Sequence, residues 1–315
     1  MRIEKKNVLV TGGAGFIGSH VAEQFIRGGH QVVVLDNLSS GSVDNLPEQA
    51  MFVPGDIMDT DLLADLFGHL QFQVVCHHAA QISVRESVAD PQFDAQVNII
   101  GTLNLLKQSV TAGVSKFMFA STGGALYGEQ DYFPAGEDHP IRPLSPYGVS
   151  KATVERYLYF YRRQYGLKTT ILRYANVYGP RQNPHGEAGV VAIFAERIAQ
   201  GAALVINGDG LQTRDYVYVG DVAKANLAAL EHDGSLTVNI GTGVETDVVT
   251  LVKYLKQAAG RPVNYTHGPT PAGEQRRSVI SPSLALDMLG WEPQMSLPDG
   301  LIRTYATYSP QTKAR

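Results

Sequence analysis

A tyrosine four residues before a lysine, Tyr147 and Lys151, is the pair in this chain best suited to proton chemistry. Both lie in Ser145-Pro146-Tyr147-Gly148-Val149-Ser150-Lys151. Pro146 suits the first turn of a helix, where its missing N–H leaves nothing unpaired. The run 152–158 continues as helix, so the two side chains share one face. A tyrosine hydroxyl titrates near ~10, and a fixed ammonium nearby favours the phenolate. Such a pair is a general acid or base usable near neutral pH. The same spacing also fits an ordinary solvated helix, so the surrounding elements decide. A second source of hydroxyls, Ser121 and Thr122, ends the predicted strand 116–120, where it can bond a substrate oxygen or simply serve a turn.

The elements that must position this pair begin at the N-terminus. Asn7-Val8-Leu9-Val10 reads as a buried parallel strand. Glycines 12, 15 and 18 follow, then an amphipathic helix to about residue 27. That arrangement makes a tight turn, lets backbone approach a pyrophosphate and aims helix N–H groups at it. A second strand at 31–35 ends in Asp36, whose carboxylate accepts from both ribose hydroxyls and repels a 2′-phosphate, favouring NAD over NADP. The polar loop 37–41 can wrap the adenosine, and after a third strand at 51–53 Asp56 and Ile57 are placed to meet the adenine. A helix at 59–67 and a strand at 73–77 lead to His77-His78-Ala79-Ala80. Adjacent strand histidines point to opposite faces, so they read as structural and not as a metal pair. The small alanines let a dinucleotide lie close. Residues 90–112 read as one long helix carrying Asn98, with Gly101 where another backbone passes. Alternating strands and helices imply an α/β fold with a doubly wound parallel sheet.

Composition narrows the class. The 315 residues are 44% hydrophobic and 18% charged, ordinary for a soluble globular chain, and are enough for one large or two modest domains. A net charge of −4 gives no hint of nucleic acid or an anionic membrane as partner. The single cysteine, Cys76, sits in an apolar run and reads as core, consistent with a reducing, cytoplasmic setting. A charged N-terminus runs straight into a strand without a signal peptide, and no apolar run approaches the ~20 residues of a membrane span.

Taken together, the stretches Thr11–Gly18, Asp36, His77–Ala80, Ser121–Gly128, Tyr147–Lys151 and Arg173–Arg181 resemble, in order, the extended short-chain dehydrogenases/reductases. The resemblance covers nearly the whole chain. It lies in the nucleotide-sugar epimerase and dehydratase branch, nearest the UDP-glucose 4-epimerase-like members. It implies a Rossmann-type sheet with a smaller α/β substrate-binding domain interleaved at the C-terminal end. Residues 1–175 with about 214–245 would hold NAD, and 176–213 with 246–315 the sugar nucleotide. On the cofactor side it adds Phe16, Ile17, Asn37, Ser40, Gly41, Gln81, Asn98 and Tyr174 to the glycines Gly12, Gly15 and Gly18, Asp36, Asp56, Ile57, Ala79, Ala80, Tyr147 and Lys151. On the substrate side it implies Val84, Thr122, Tyr147, Asn176, Arg214 on the diphosphate, Glu274 on the ribose, and Ser278. A small residue at Ser278 is similar to members that accept N-acetylated sugars.

The implied reaction is 4-epimerisation of a UDP-sugar by transient oxidation at C4 and hydride return on tightly held NAD. Tyr147 is the implied base, Lys151 its electrostatic partner and Thr122 the hydroxyl on the reacting oxygen. The Ser121–Tyr127 stretch is one residue longer than the common pattern, so Ser121 stays in reserve. The usual second diphosphate arginine is missing before Gly273, leaving Arg276 or Arg277 as replacements. A 4,6-dehydratase wants Asp-Glu after the threonine, and Gly123-Gly124 argue against it. A UDP-glucuronate epimerase or decarboxylase stays open through Arg85, Arg276 or Arg277; a dinucleotide-sensing binding protein is the non-enzyme alternative. The resemblance also implies a homodimer, with helices 90–112 and 147–165 pairing into a four-helix bundle. The aromatics Tyr157, Tyr159, Phe160, Tyr161 and Tyr165 are then that surface, or core.

Overall fold

The computed structural model describes residues 4–185, 189–270 and 275–309. The first half runs β1 (Asn7–Thr11), α1 (Phe16–Arg27), β2 (Gln31–Asp36), β3 (Met51–Pro54), α2 (Thr60–His69) and β4 (Val74–His77). It continues with α3 (Val84–Ala89), α4 (Pro91–Ala95), a π-helical turn over Gln96–Ile100, α5 (Gly101–Thr111), β5 (Lys116–Thr122), α6 (Gly123–Leu126), α7 (Pro146–Tyr165) and β6 (Lys168–Tyr174). The second half holds β7 (Asn176–Tyr178), α8 (Val190–Ala199), β8 (Leu204–Asn207), β9 (Thr213–Tyr218), α9 (Val219–Glu231) and β10 (Leu236–Ile240). It closes with β11 (Glu245–Asp247), α10 (Val248–Ala259), β12 (Tyr265–Gly268), α11 (Ser283–Leu289) and α12 (Leu297–Tyr308).

Seven strands form one parallel sheet in the order β10-β6-β5-β4-β1-β2-β3. Its side chains alternate between two buried layers, as a doubly covered parallel sheet requires. Val8, Val10, Val74, Cys76 and Met118 pack with Val21 and Phe25 of α1 and Val222 and Ala229 of α9. Leu9, Val75, Phe117 and Phe119 pack with Leu63, Phe67, Leu105, Val154 and Leu158 of α2, α5 and α7 on the other side. Cys76 is core, as its sequence setting suggests, and burial pushes its thiol up.

A smaller unit combines the three-stranded sheet β11-β9-β7 with the pair β12-β8. Its own core joins Phe194, Ile198, Leu204, Ile206, Leu251, Leu255 and Leu301. Helix α9 packs on the large sheet and β10 joins it. Strand β9 pairs instead with β7 and β11 in the small sheet. The helix expected over 90–112 is interrupted. Asp90 caps α4 at Phe93 N, Pro91 starts it, and a wider turn over Gln96–Ile100 intervenes before α5. A π turn carries one extra residue and re-aims the side chain it holds, here Asn98. Helix α7 runs as expected: Ser145 Oγ accepts from Gly148 N at 3.2 Å, Pro146 opens it, and Gly166 ends it at φ 70°. Of its aromatics, Tyr161 packs on the core while Tyr157, Tyr159, Phe160 and Tyr165 are exposed.

Beneath the carboxyl edge of the sheet lies a buried polar hub. Arg173 Nε and Nη2 donate to the two oxygens of Glu155 at 3.1 and 2.7 Å, and Nη1 donates to Tyr127 Oη at 2.9 Å. Tyr127 donates to Asn239 Oδ1 at 2.7 Å, tying β6, α7 and β10 together. Both charged side chains are 6% exposed. Removing one partner leaves an uncompensated buried charge, so Arg173→Met is expected to destabilise the fold by about 3–5 kcal/mol, read from the denaturant midpoint.

Candidate active site

The turn after β1 closes tightly. Gly12 has φ +69°, and a Cβ on it would stand 2.6 Å from Ala79 N. A Cβ on Gly18 would stand 2.1 Å from Gly12 O, so the turn and the start of α1 admit no side chain there. Gly15 caps α1 with no side-chain acceptor, which leaves the first-turn N–H groups of Phe16 and Ile17 open to an anion. At the end of β2, Asp36 accepts from Ala14 N at 2.9 Å and Leu38 N at 2.8 Å and is 8% exposed. The loop beyond folds back on the turn: Ser42 N donates to Ala14 O at 3.0 Å, and a Cβ on Gly41 would reach 2.9 Å from that oxygen. Ser40 is exposed on this loop. Asn37 Nδ2 donates to Asp56 Oδ2 at 2.8 Å, and Ile57 packs against Gly101 of α5, leaving no room for a Cβ there. Ala79 and Ala80 line the end of β4 beside this turn. A cradle of glycine backbone, open helix amides and a carboxylate at the next strand end fits an NAD dinucleotide.

Tyr147 and Lys151 stand on the first turns of α7, against the carboxyl end of β5. Lys151 is 4% exposed; its Nζ donates to Ala120 O at 2.9 Å and lies 4.7 Å from the Phe119 ring centroid and 5.7 Å from that of Tyr147. Burial pulls the amine down to about 8, while the Asp94 and Glu155 carboxylates oppose that shift. The tyrosine behaves differently from expectation. Its hydroxyl is raised above the ordinary range, first by burial and then by the Asp94 carboxylate. The lysine bonds a main-chain carbonyl, and the Asp94 carboxylate works against the phenolate.

Asn98 is buried beside this pair. Its Nδ2 donates to Gln81 O and Asp94 Oδ1, both at 2.9 Å, and its Oδ1 accepts from Gln81 N at 3.0 Å. Asp94, which sequence reading did not single out, has no exposed surface. The signal for it was present, because Asp94 and Asn98 are four apart on one helical face. His77 sits between Thr11 Oγ1 at 2.7 Å and Thr102 Oγ1 at 2.9 Å, while His78 bonds Tyr174 Oη at 3.1 Å. They lie on opposite faces, His77 buried and His78 half-buried, and desolvation holds both neutral, His78 down to about 3. The Tyr174 hydroxyl is engaged by His78 and Asn226. Among the described residues no three His, Cys, Asp or Glu side chains gather as a metal site.

The two candidate hydroxyls point apart, as neighbours on a strand must. Ser121 is 4% exposed and donates to Glu155 Oε1 at 2.6 Å, inside the buried hub. Thr122 pairs in register with Tyr174 and is partly exposed; its Oγ1 accepts from Ala125 N at 3.1 Å. A Cβ on Gly124 would lie 3.6 Å from Asn176 Oδ1 and 3.9 Å from Thr122 Oγ1, so both groups border one small space.

On the substrate side, Arg214 Nη1 donates to Thr213 O at 2.8 Å. Nearby, Asp215 accepts from Thr242 and Gly243, and Asp221 from Gln294 N and Met295 N. Arg276 forms a fork on Asp209 at 2.8 and 3.0 Å, and Arg277 one on Glu245 at 2.9 and 2.8 Å while stacking 3.6 Å over Phe133. Ser278 is 3% exposed, and its carbonyl accepts from Asp215 N at 2.9 Å. Val84 is exposed at the start of α3, as is Arg85. Glu274 lies outside the described residues.

Comparison with known proteins gives this site a setting. Residues 8–241 match the model of the NAD dependent epimerase/dehydratase family. A putative UDP-glucose 4-epimerase of Methanocaldococcus jannaschii is 47% identical over 94% of this chain and 96% of its own length. A crystal structure of UDP-glucose 4-epimerase with UDP-glucose from Thermotoga maritima superposes with TM-score 0.95 at 49% identity, covering 98% of this chain and 100% of that one. The UDP-glucose 4-epimerase complex with NAD from Thermus thermophilus gives TM-score 0.92 at 45% identity, covering 96% and 98%. With that likeness running through the glycine turn, the tyrosine–lysine helix and the small domain alike, the chain belongs to the NAD dependent epimerase/dehydratase family.

Proposed function

We propose that the protein is an NAD-dependent UDP-sugar 4-epimerase acting on UDP-glucose and UDP-galactose. The observation that carries this reading is Tyr147 one helical turn before a buried Lys151 at the carboxyl edge of β5, with Thr122 ending that strand and the glycine cradle after β1, two strands away in the same sheet. NAD+, when bound, supplies the hydride acceptor and a positive ring charge that favours the phenolate. Tyr147 takes the proton of the sugar 4-hydroxyl and later returns one. Lys151 holds positive charge below it, and Thr122 bonds the reacting oxygen. Asn176 and Arg214 orient the sugar nucleotide, the arginine through a fork suited to phosphate oxygens. Gly15, Phe16 and Ile17 receive the cofactor diphosphate, and Asp36 its ribose.

Ser278 is small, so N-acetylated hexosamines are a second substrate class of the same site. Gly123 and Gly124, where a dehydratase carries an acid pair, support epimerisation over elimination. A homodimer fits the exposed apolar surface of α4 and α7, where Phe93 is 50% and Tyr159 57% exposed. No helix among the described residues is long and apolar enough to cross a membrane. The lone cysteine, buried in the core, fits a reducing, cytoplasmic setting.

Two substitutions test the assignments by product analysis of purified protein. Tyr147→Phe is expected to lower turnover by about 10²–10⁴-fold while bound NAD, released by denaturation and measured by absorbance, stays unchanged. Thr122→Val is expected to lower turnover far more than Ser121→Ala does. Full activity in Tyr147→Phe, or the reverse order for the hydroxyls, contradicts these roles.

A further inference from the structure

Asp94 is a fully buried carboxylate that the proton chemistry above does not use. It joins three separate pieces of the chain. Oδ1 accepts from Asn98 Nδ2 of the π turn at 2.9 Å and from Gln81 Nε2 after β4 at 3.2 Å. Oδ2 accepts from Ser150 Oγ of α7 at 2.5 Å. Ser150 immediately precedes Lys151 on α7, and the carboxylate held there is close enough to favour the Lys151 ammonium. It also lies near the N-terminal end of α7, where a negative charge is favoured by the helix dipole.

We propose that Asp94 is a positioning residue: it locks the π turn, the Gln81 loop and the first turns of α7 in register, and it supplies the counter-charge of the Lys151 ammonium. Other charges around the pair do not fill this role. Glu155, on α7 itself, is already paired in a fork with Arg173 of β6. His77 and His78, at the end of β4, are held neutral by burial. A buried lysine with no uncompensated carboxylate nearby loses its proton readily. Asp94 therefore preserves the cation on which the proposed tyrosine chemistry depends, and the inference rests on that reading of Tyr147 and Lys151. It has a second effect of opposite sign, since the same negative charge holds the Tyr147 hydroxyl up until a positive group arrives.

Charge and geometry are separable here. In Asp94→Asn the amide oxygen can still accept from Gln81 and Asn98, and the amide nitrogen can donate to Ser150 Oγ. The network keeps its shape while the charge is gone. The test is NMR titration of cofactor-free protein carrying 13C at lysine Cε, with the Lys151 resonance identified by its loss in Lys151→Met. The wild-type midpoint is expected near 8. Losing an adjacent negative charge favours the neutral amine, so the Asp94→Asn midpoint should fall by about one pH unit. If Asp94→Asn does not fold, Asp94→Ser is equally neutral and must show the same fall. A purely structural role would lower Tm and leave the midpoint in place, and an unchanged midpoint overturns the proposal. Wild-type turnover of UDP-glucose, measured alongside, decides the proposed function separately: its absence sinks that reading without bearing on the lysine titration.

Discussion

A lysine ammonium buried at the carboxyl edge of a parallel sheet must find partners, and most of the site follows from that need. Lys151 reaches the Ala120 carbonyl close to where β5 ends. It rests against Phe119, which belongs to the sheet's own core. Carboxylates arrive from two directions, one fixed to Arg173 and one on the helix ahead of the π turn. The position of Tyr147 is then a consequence of helix geometry, because residues four apart on α7 share a face.

Around this centre the chain makes two kinds of close approach. Backbone meets backbone where Gly12 and Gly18 leave no space for a side chain, which sets the distance between β1, α1 and the end of β4. Polar side chains meet in buried clusters where strands end: Arg173 with Glu155, Tyr127 and Asn239, and Asp94 with Asn98, Gln81 and Ser150. Buried polar groups satisfied this fully favour one arrangement over its neighbours. The result is a rigid floor on which a mobile sugar can be handled, consistent with a reaction that needs two presentations of one carbon.

Much of this was readable in the chain. The glycine spacing, the apolar strands and Asp36 specify the first crossover through local rules, and the structure follows them nearly residue for residue. Helix α7 was legible because Pro146 is a local start signal; the Ser145 cap and the Gly166 stop emerge in the structure. The π turn was not, since its cause is tertiary: Asn98 is drawn toward Gln81 and Asp94, which no helical period reveals. The membership of β9 was hidden for a similar reason. A short strand of mixed character does not announce which sheet it joins, and here β7 and β11 take it. Ser121 and Thr122 were indistinguishable by type; only the alternation of β5, with Glu155 behind it, separates them. The raised tyrosine hydroxyl depends first on burial and then on Asp94, neither visible from a four-residue spacing.

The central claim is that one carbon of a UDP-sugar is oxidised and reduced within the same protein. UDP-glucose carrying deuterium at C4, incubated with purified protein and no added cofactor, tests it most directly. The account predicts UDP-galactose that retains the deuterium at C4, with none exchanged into water. Epimer that has lost the label to solvent, or no epimer even after NAD+ is supplied, would contradict it.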